Sequence, residues 1–460
     1  MRGTRDLTVG NERKLIIQFT VPMLIGSLFQ QLYNVVDSLI VGNFIGKNAL
    51  AAVGVSFPII FLLVSLLIGL TIGLSILVSQ YFGAKDIQKV KEAIDTIYIS
   101  LFIASLFITA MGLFFSRELM QLLHVPQEIE NDSVLYFSIF TGGLVFLFGF
   151  NATNAILRGL GDTKTPLYFL IVSTVLNLIL DIIFVGLMGL GVEWVAIATV
   201  FSQFVAFIAA IIYLNKRHPI IHLSLRKLKF NKTIFRQSLK MGIPSGLQQS
   251  FVAIGILALF RIVNEFGTDA MAAFTIASRL DSFAAMPAMI LASALSNFVG
   301  QNMGAGKLDR ISRGYRETIK ISIAIAVTVS VILVVFRTHL ISVFNQDPKV
   351  IEIGSHYLLI VGFFYLIYSL MFVNQSVLRG AGDAITPMFI TLVALWVGRI
   401  PISWLLSRTY GTDGIWWGIP IAWCIGFALS LIFYLRGRWK KKSLVKHEPD
   451  VIVDGNGIVG

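Results

Sequence analysis

Twelve apolar stretches, each long enough to cross a bilayer core of about 20 helical residues, run along this chain between residues 15 and 436. Read as helices they fall near 15-42, 50-81, 93-115, 132-157, 166-189 and 192-214, then near 238-264, 270-300, 315-337, 350-378, 386-408 and 415-436. Composition agrees. The chain is 56% hydrophobic and 13% charged, with a mean hydropathy of +0.80, well outside the usual range of soluble domains. The expected class is an all-α polytopic membrane protein of twelve transmembrane helices.

The spans come in two sets of six. Leu157-Arg158-Gly159-Leu160-Gly161-Asp162-Thr163-Lys164-Thr165-Pro166 recurs as Leu378-Arg379-Gly380-Ala381-Gly382-Asp383-Ala384-Ile385-Thr386-Pro387, displaced by 221 positions. The same offset maps Gln80, Gly83 and Ala84 onto Gln301, Gly304 and Ala305, so the match is not a chance local motif. An even number of spans per unit starts both units on the same face. The halves are therefore expected to be parallel repeats related by a pseudo-twofold axis along the membrane normal, meeting at a central cleft. The expected division is a cytoplasmic segment 1-14, a bundle 15-214, a basic linker 215-237, a second bundle 238-436 and a tail 437-460, disordered after Lys442.

Lys and Arg set the orientation, because basic short loops stay cytoplasmic. All but eight of the 37 lie in segments that share a face with residues 1-14, so both termini are expected in the cytoplasm. The net charge of +12 follows from this topology and favours contact with anionic lipid. Nucleic acid binding would need a basic soluble module, which the sequence lacks. The lone Cys424 excludes an intrachain disulfide and reads as a small core residue.

Polar groups inside the membrane need a partner or a purpose. Gln30, Tyr33, Asn34 and Asp37 are spaced 3, 4 and 7 apart, which puts them on one face of the first helix. Thr174, Asn177 and Asp181 repeat that spacing in the fifth, and Asn151, Asn154 and Arg158 in the fourth. Shifting by 221 puts Ala258 opposite Asp37, so any coupling chemistry is asymmetric between the halves. A buried carboxylate suits proton uptake, whereas two carboxylates with Asn and Thr oxygens suit Na+. Asp281 lies between Arg279 and Ser282 and reads as a local pair near a helix start. Arg399, beside Pro401, is a lone intramembrane cation that either meets a carboxylate or carbonyl or snorkels outward.

These residues resemble the multidrug and toxic compound extrusion transporters (MATE) of the MOP flippase superfamily over roughly 12-438. The resemblance is carried by Tyr33-Asn34-Val35-Val36-Asp37-Ser38, Gln80-Tyr81-Phe82-Gly83-Ala84, Leu176-Asn177-Leu178-Ile179-Leu180-Asp181, Gly300-Gln301-Asn302-Met303-Gly304-Ala305-Gly306 and the two copies of Leu-Arg-Gly-x-Gly-Asp. It implies two six-helix bundles around a V-shaped cleft, and export of amphipathic, often cationic compounds against inward H+ or Na+. It assigns Asp37, Asn177, Asp181 and Thr199 to an amino-lobe cation and proton network. Another branch adds carboxylates in the second half. Gln249 and Tyr368 stand at about those places here, which favours amino-lobe coupling.

The expected protein is a secondary active multidrug antiporter working by alternating access, a monomer in a bacterial inner membrane with no cofactor beyond the coupling ion. Gln30, Tyr33, Asn34, Asn151, Asn154, Gln248, Gln249, Arg279, Asp281 and Arg399 are expected to line its substrate cleft. The alternative is a flippase for lipids or lipid-linked oligosaccharides. A pyrophosphate headgroup, however, calls for several inward cations, and Arg279 and Arg399 are the obvious candidates. No metal, nucleophile or Walker motif supports an enzyme or an ATP-driven pump.

Overall fold

A computed structural model describes residues 4-123, 125-217 and 228-445; parts of the linker (218-227) and of the tail (446-460) lie outside the described residues. The first half contains α1 (Glu12–Ile40), α2 (Lys47–Gly83), α3 (Ile87–Phe114), the short α4 (Ser116–Leu122), α5 (Gln127–Gly142), α6 (Leu144–Gly159), α7 (Lys164–Asp181) and α8 (Val192–Arg217). The second contains α9 (Lys232–Asn264), α10 (Thr268–Gly304), α11 (Leu308–Val335), the short α12 (Arg337–Ser342), α13 (Pro348–Gly362), α14 (Tyr365–Gly380), α15 (Ile385–Leu392) and α16 (Ile400–Leu435). Among the described residues there is no strand.

Among the described residues nine helices are long and apolar enough to span a membrane, and two further bent pairs, α5 with α6 and α13 with α14, qualify jointly. The bends are 47° and 50° and fall at positions 221 apart, so the duplication is visible in the shape of the chain. One of the nine, Ile385–Leu435, is 51 residues long, far more than a bilayer needs. It doubles back at Gly411, whose φ of 60° is open to glycine. Across that turn Ser403 Oγ donates to Ile415 O at 3.0 Å, so the element is two antiparallel spans. By length and composition the described residues thus offer nine to eleven candidate spans, one of them folded back on itself.

Several helices begin earlier than the apolar stretches suggest. α3 starts at Ile87 rather than 93, α9 at Lys232 rather than 238 and α11 at Leu308 rather than 315. Capping extends two of them into polar sequence: Asp86 accepts the N–H of Lys89 at 3.0 Å, and Asn231 that of Thr233 at 2.9 Å.

The repeated decapeptide is a helix-to-helix corner. Gly161 and Gly382 take φ of 85° and 104°. Asp162 and Asp383 then cap the next helix, accepting the N–H of Thr165 at 3.0 Å and of Thr386 at 3.1 Å. The halves meet along glycine. A methyl group at Gly69 would fall on the backbone of Gly246, one at Gly83 on the carbonyl of Gln301, and one at Gly304 on that of Gln80. Small residues let helix backbones approach this closely in lipid, where packing and not hydrophobicity joins helices.

The polar segment before α1 is packed, with Leu7 and Thr8 buried. The expected disorder after Lys442 starts too early, because Leu444 and Val445 join the core between the halves, and both backbone polar groups of Leu444 are bonded. Cys424 is half-buried, not fully so.

Candidate functional site

α1 and α7 run in parallel, with Gly26 of α1 beside Leu170 and Leu167 of α7. Eleven residues further along each helix stand Asp37 and Asp181. Their carboxyl groups lie within hydrogen-bonding reach of one another. The Oδ1 atoms of both are buried and have no hydrogen-bond partner among the described residues. Two ionised carboxylates this close repel strongly in a low-dielectric bundle, so the pair needs a shared proton or a cation.

Neighbours orient the pair. With its amide turned to satisfy both sides, Asn177 donates to Asp181 Oδ2 at 2.9 Å and accepts the backbone N–H of Thr199 at 3.1 Å. Tyr33 Oη is 3.3 Å from Thr199 Oγ1. Tyr136 of α5 is buried beside both acids, a member of the site that the one-face spacing argument had no means of finding. One turn further out, Ile40, Val41, Phe137, Val185 and Val195 form an apolar layer over the pair.

Both acids precede a wide helical turn. Asp181 is the last α-helical residue before the π-helical stretch Ile182–Leu187, and α1 passes into another at Val41–Ile45. Such stretches are frequent at functional sites because the surplus residue disturbs the regular ladder. Below the acids a hollow lined by Gln30, Tyr33, Ser173, Thr174, Asn177, Thr199, Ser202 and Gln203 has room for about one water-sized sphere. It fits a water or a bare ion and excludes a drug-sized molecule.

Four sequence-derived residues, Asp37, Asn177, Asp181 and Thr199, are thus brought together, with Gln30 and Tyr33 at the edge of the same hollow. The others lie elsewhere. Asn34 is exposed and Gln249 half-buried. Asn151 donates to Leu147 O at 2.8 Å on its own helix, and Asn154 is buried with its oxygen unpaired. Gln248 is buried in the second half, donating to Thr391 Oγ1 at 2.7 Å and accepting from Arg379 at 2.8 Å.

Asp281 corrects its sequence reading. It stands in the middle of α10, and its carboxylate accepts from the hydroxyl of Tyr365, with Arg399 as the nearby cation. Arg279 is exposed and makes no ion pair with it, because residues two apart point to different sides of a helix. Arg399 closes the π-helical stretch Val393–Arg399 and faces inward, its Nε buried and unpartnered. Tyr365, Tyr368 and Trp423 wall this second cluster with ring centroids 4.8 to 5.8 Å apart. Among the described residues no group of three or more His, Cys, Asp or Glu could hold a metal.

The MatE family model matches twice, at residues 22–183 and 244–405. The chain is 32% identical over 440 residues to the probable multidrug resistance protein YpnP of Bacillus subtilis (strain 168), covering 95% of this chain and 98% of that one. It is 26% identical over 444 residues to the probable multidrug resistance protein NorM of Thermotoga maritima, covering 95% of each. Among solved structures, an outward-facing multidrug resistance MATE transporter of the MOP superfamily superposes with a TM-score of 0.89 at 25% identity, covering 96% of this chain and 99% of that one. Two matches to one family model that together take in more than half of the chain, on an all-helical fold with these relatives, show that the chain belongs to the MatE family of membrane transporters.

Proposed function

We propose that this chain is a secondary active multidrug exporter that releases amphipathic, cationic compounds in exchange for inward H+ or Na+. The reading takes its substrate class from relatives named as multidrug resistance and multidrug export proteins. It takes its coupling chemistry from one observation, the contact between Asp37 and Asp181 inside an apolar bundle. The bundles are 15-214 and 238-436, and the face bearing residues 1-14 and the tail is cytoplasmic, in a bacterial inner membrane. No cofactor takes part.

In the cycle, the ionised pair attracts a lipophilic cation into the space between the halves. A proton or Na+ entering the hollow at Asn177 and Thr199 then neutralises the pair and displaces the drug. Because drug and ion favour opposite-facing conformations, the ion gradient gives the cycle direction.

The test is efflux of a fluorescent lipophilic cation from proteoliposomes under an imposed pH gradient and, separately, an imposed Na+ gradient. Movement under one gradient, lost in Asp37→Asn, names the ion. Movement under neither, with lipid translocation instead, overturns the reading in favour of a flippase.

A further inference from the structure

We propose that the segment before α1 and the segment after α16 are two latches that hold the basic face shut, and that Gln80 and Gln301 are their receptors. The inference rests on the alternating-access reading above and adds where the closed state is held.

Gln80 and Gln301 are equivalent under the 221-residue offset, and both are fully buried where α2 crosses α10. Each spends its amide N–H on the corner of the opposite half. Gln80 donates to Gly380 O at 2.9 Å, and Gln301 to Gly159 O at 3.0 Å. Each amide oxygen then accepts a backbone N–H from an irregular segment. Leu7 donates to Gln301 at 2.8 Å, and Leu444 donates to Gln80 at 2.7 Å.

The two segments are mates in space. Two residues before each donor, the carbonyl of Arg5 covers Gly161 and that of Lys442 covers Gly382, where a side chain would collide with it. Each segment therefore bridges one half's corner and the other half's glutamine. Duplication does not account for this, since the 221-residue offset takes Leu7 to residue 228 and Leu444 to residue 223. Two unrelated stretches of chain fill equivalent sockets.

Further anchors fix the first latch to the second half. Arg310 donates to Gly10 O at 3.0 Å, Asn302 donates to Leu7 O at 3.2 Å, Lys307 donates to Thr8 O at 3.0 Å, and Arg310 and Arg313 pair with Glu12. Separating α2 from α10 on this face strips both glutamines of their partners at once, so the face cannot open with the latches in place.

The experiment places spin labels at Gln88→Cys and Asp309→Cys, two exposed equivalents at the starts of α3 and α11, in a Cys424→Ser background in lipid nanodiscs. Electron-electron distance distributions are read without drug or gradient. We expect one dominant short distance in the parent. Gln80→Ala and Gln301→Ala each raise the population of a longer distance about tenfold, as expected for losing a buried hydrogen-bond partner. Leu7→Pro, which removes the N–H and leaves both glutamines, yields the same longer distance, and Leu7→Met does not. If a Gln→Ala variant melts without cooperativity, Leu7→Pro decides. Distributions unchanged by Leu7→Pro and by the folded glutamine variants overturn the proposal. Because no transport is measured, failure of the export reading leaves this result standing, and the reverse.

Discussion

Asp37 rests its carboxyl group against that of Asp181, one from each of two parallel helices. Asn177 steadies one side of the contact, and the Oδ1 atoms of both acids are buried without a hydrogen-bond partner among the described residues. Replacing Asp37 by Asn removes a charge-assisted partner worth about 1.5–3 kcal/mol, or about ten- to hundredfold in ion affinity. Gradient-driven efflux should collapse while the thermal melt stays cooperative. Full efflux by Asp37→Asn in liposomes would remove the pair from the mechanism.

Gly26 marks where α1 passes the side chains of Leu170 and Leu167 on α7. A methyl group there would meet Leu170 Cδ2 at 3.4 Å and Leu167 Cδ1 at 3.6 Å, a tolerable contact. Gly26→Ala should therefore transport normally. Gly26→Phe forces the helices apart at about 1–3 kcal/mol of overpacking and should lose coupling with the loss of Asp37–Asp181 contact. Parallel efflux and thermal-unfolding measurements separate the two variants.

Tyr365→Phe leaves Asp281 without its hydroxyl donor in a wall of aromatic rings. An orphaned buried acceptor costs about 1–3 kcal/mol, so the variant should melt several degrees lower in detergent. Adding Asp281→Asn to Tyr365→Phe should recover part of that loss. Equal melting of Tyr365→Phe and the parent would show that Asp281 finds another donor.

At the crossing of α2 and α10, Gly83→Ala puts a carbon on the carbonyl of Gln301, and Gly304→Ala one on that of Gln80. Backbone cannot yield as a side-chain tip does. Each substitution should prevent full closure of the basic face and slow efflux, whereas Gly54→Ala, with open space around its Cβ, should do neither. Matching turnover in Gly83→Ala and Gly54→Ala would contradict this packing argument.

Long apolar stretches made the spans legible, because burial in lipid leaves a signature that any window detects, and residue identity at a constant offset of 221 made the repeat legible. Helical spacing also put Asp37 on a polar face. The contact between Asp37 and Asp181 was beyond such reasoning, since it depends on the register of two helices whose acids stand 144 positions apart in the chain. The partner of Asp281 was missed for a similar reason: Tyr365 lies 84 residues away, while Arg279, near in sequence, points elsewhere. Gln80 and Gln301 were visible as repeat markers. Two buried amides at one offset were a signal of pairing, yet nothing local said that residues 7 and 444 would complete them. The wide turns after Asp37 and Asp181 had no signature in composition at all.

The hydrogen bonds from Leu7 and Leu444 tie the closed face to irregular backbone as well as to the crossing of α2 and α10. Local opening reactions in proteins range from nearly free to the full cost of unfolding, and irregular segments occupy the cheap end. Amide hydrogen exchange at these two positions should accordingly be governed by a sub-global opening that leaves α2 and α10 protected. On the latch proposal the molecule would separate two demands, keeping its spans as permanent as a membrane requires while the repeated step draws on short irregular segments at the two ends of the bundles.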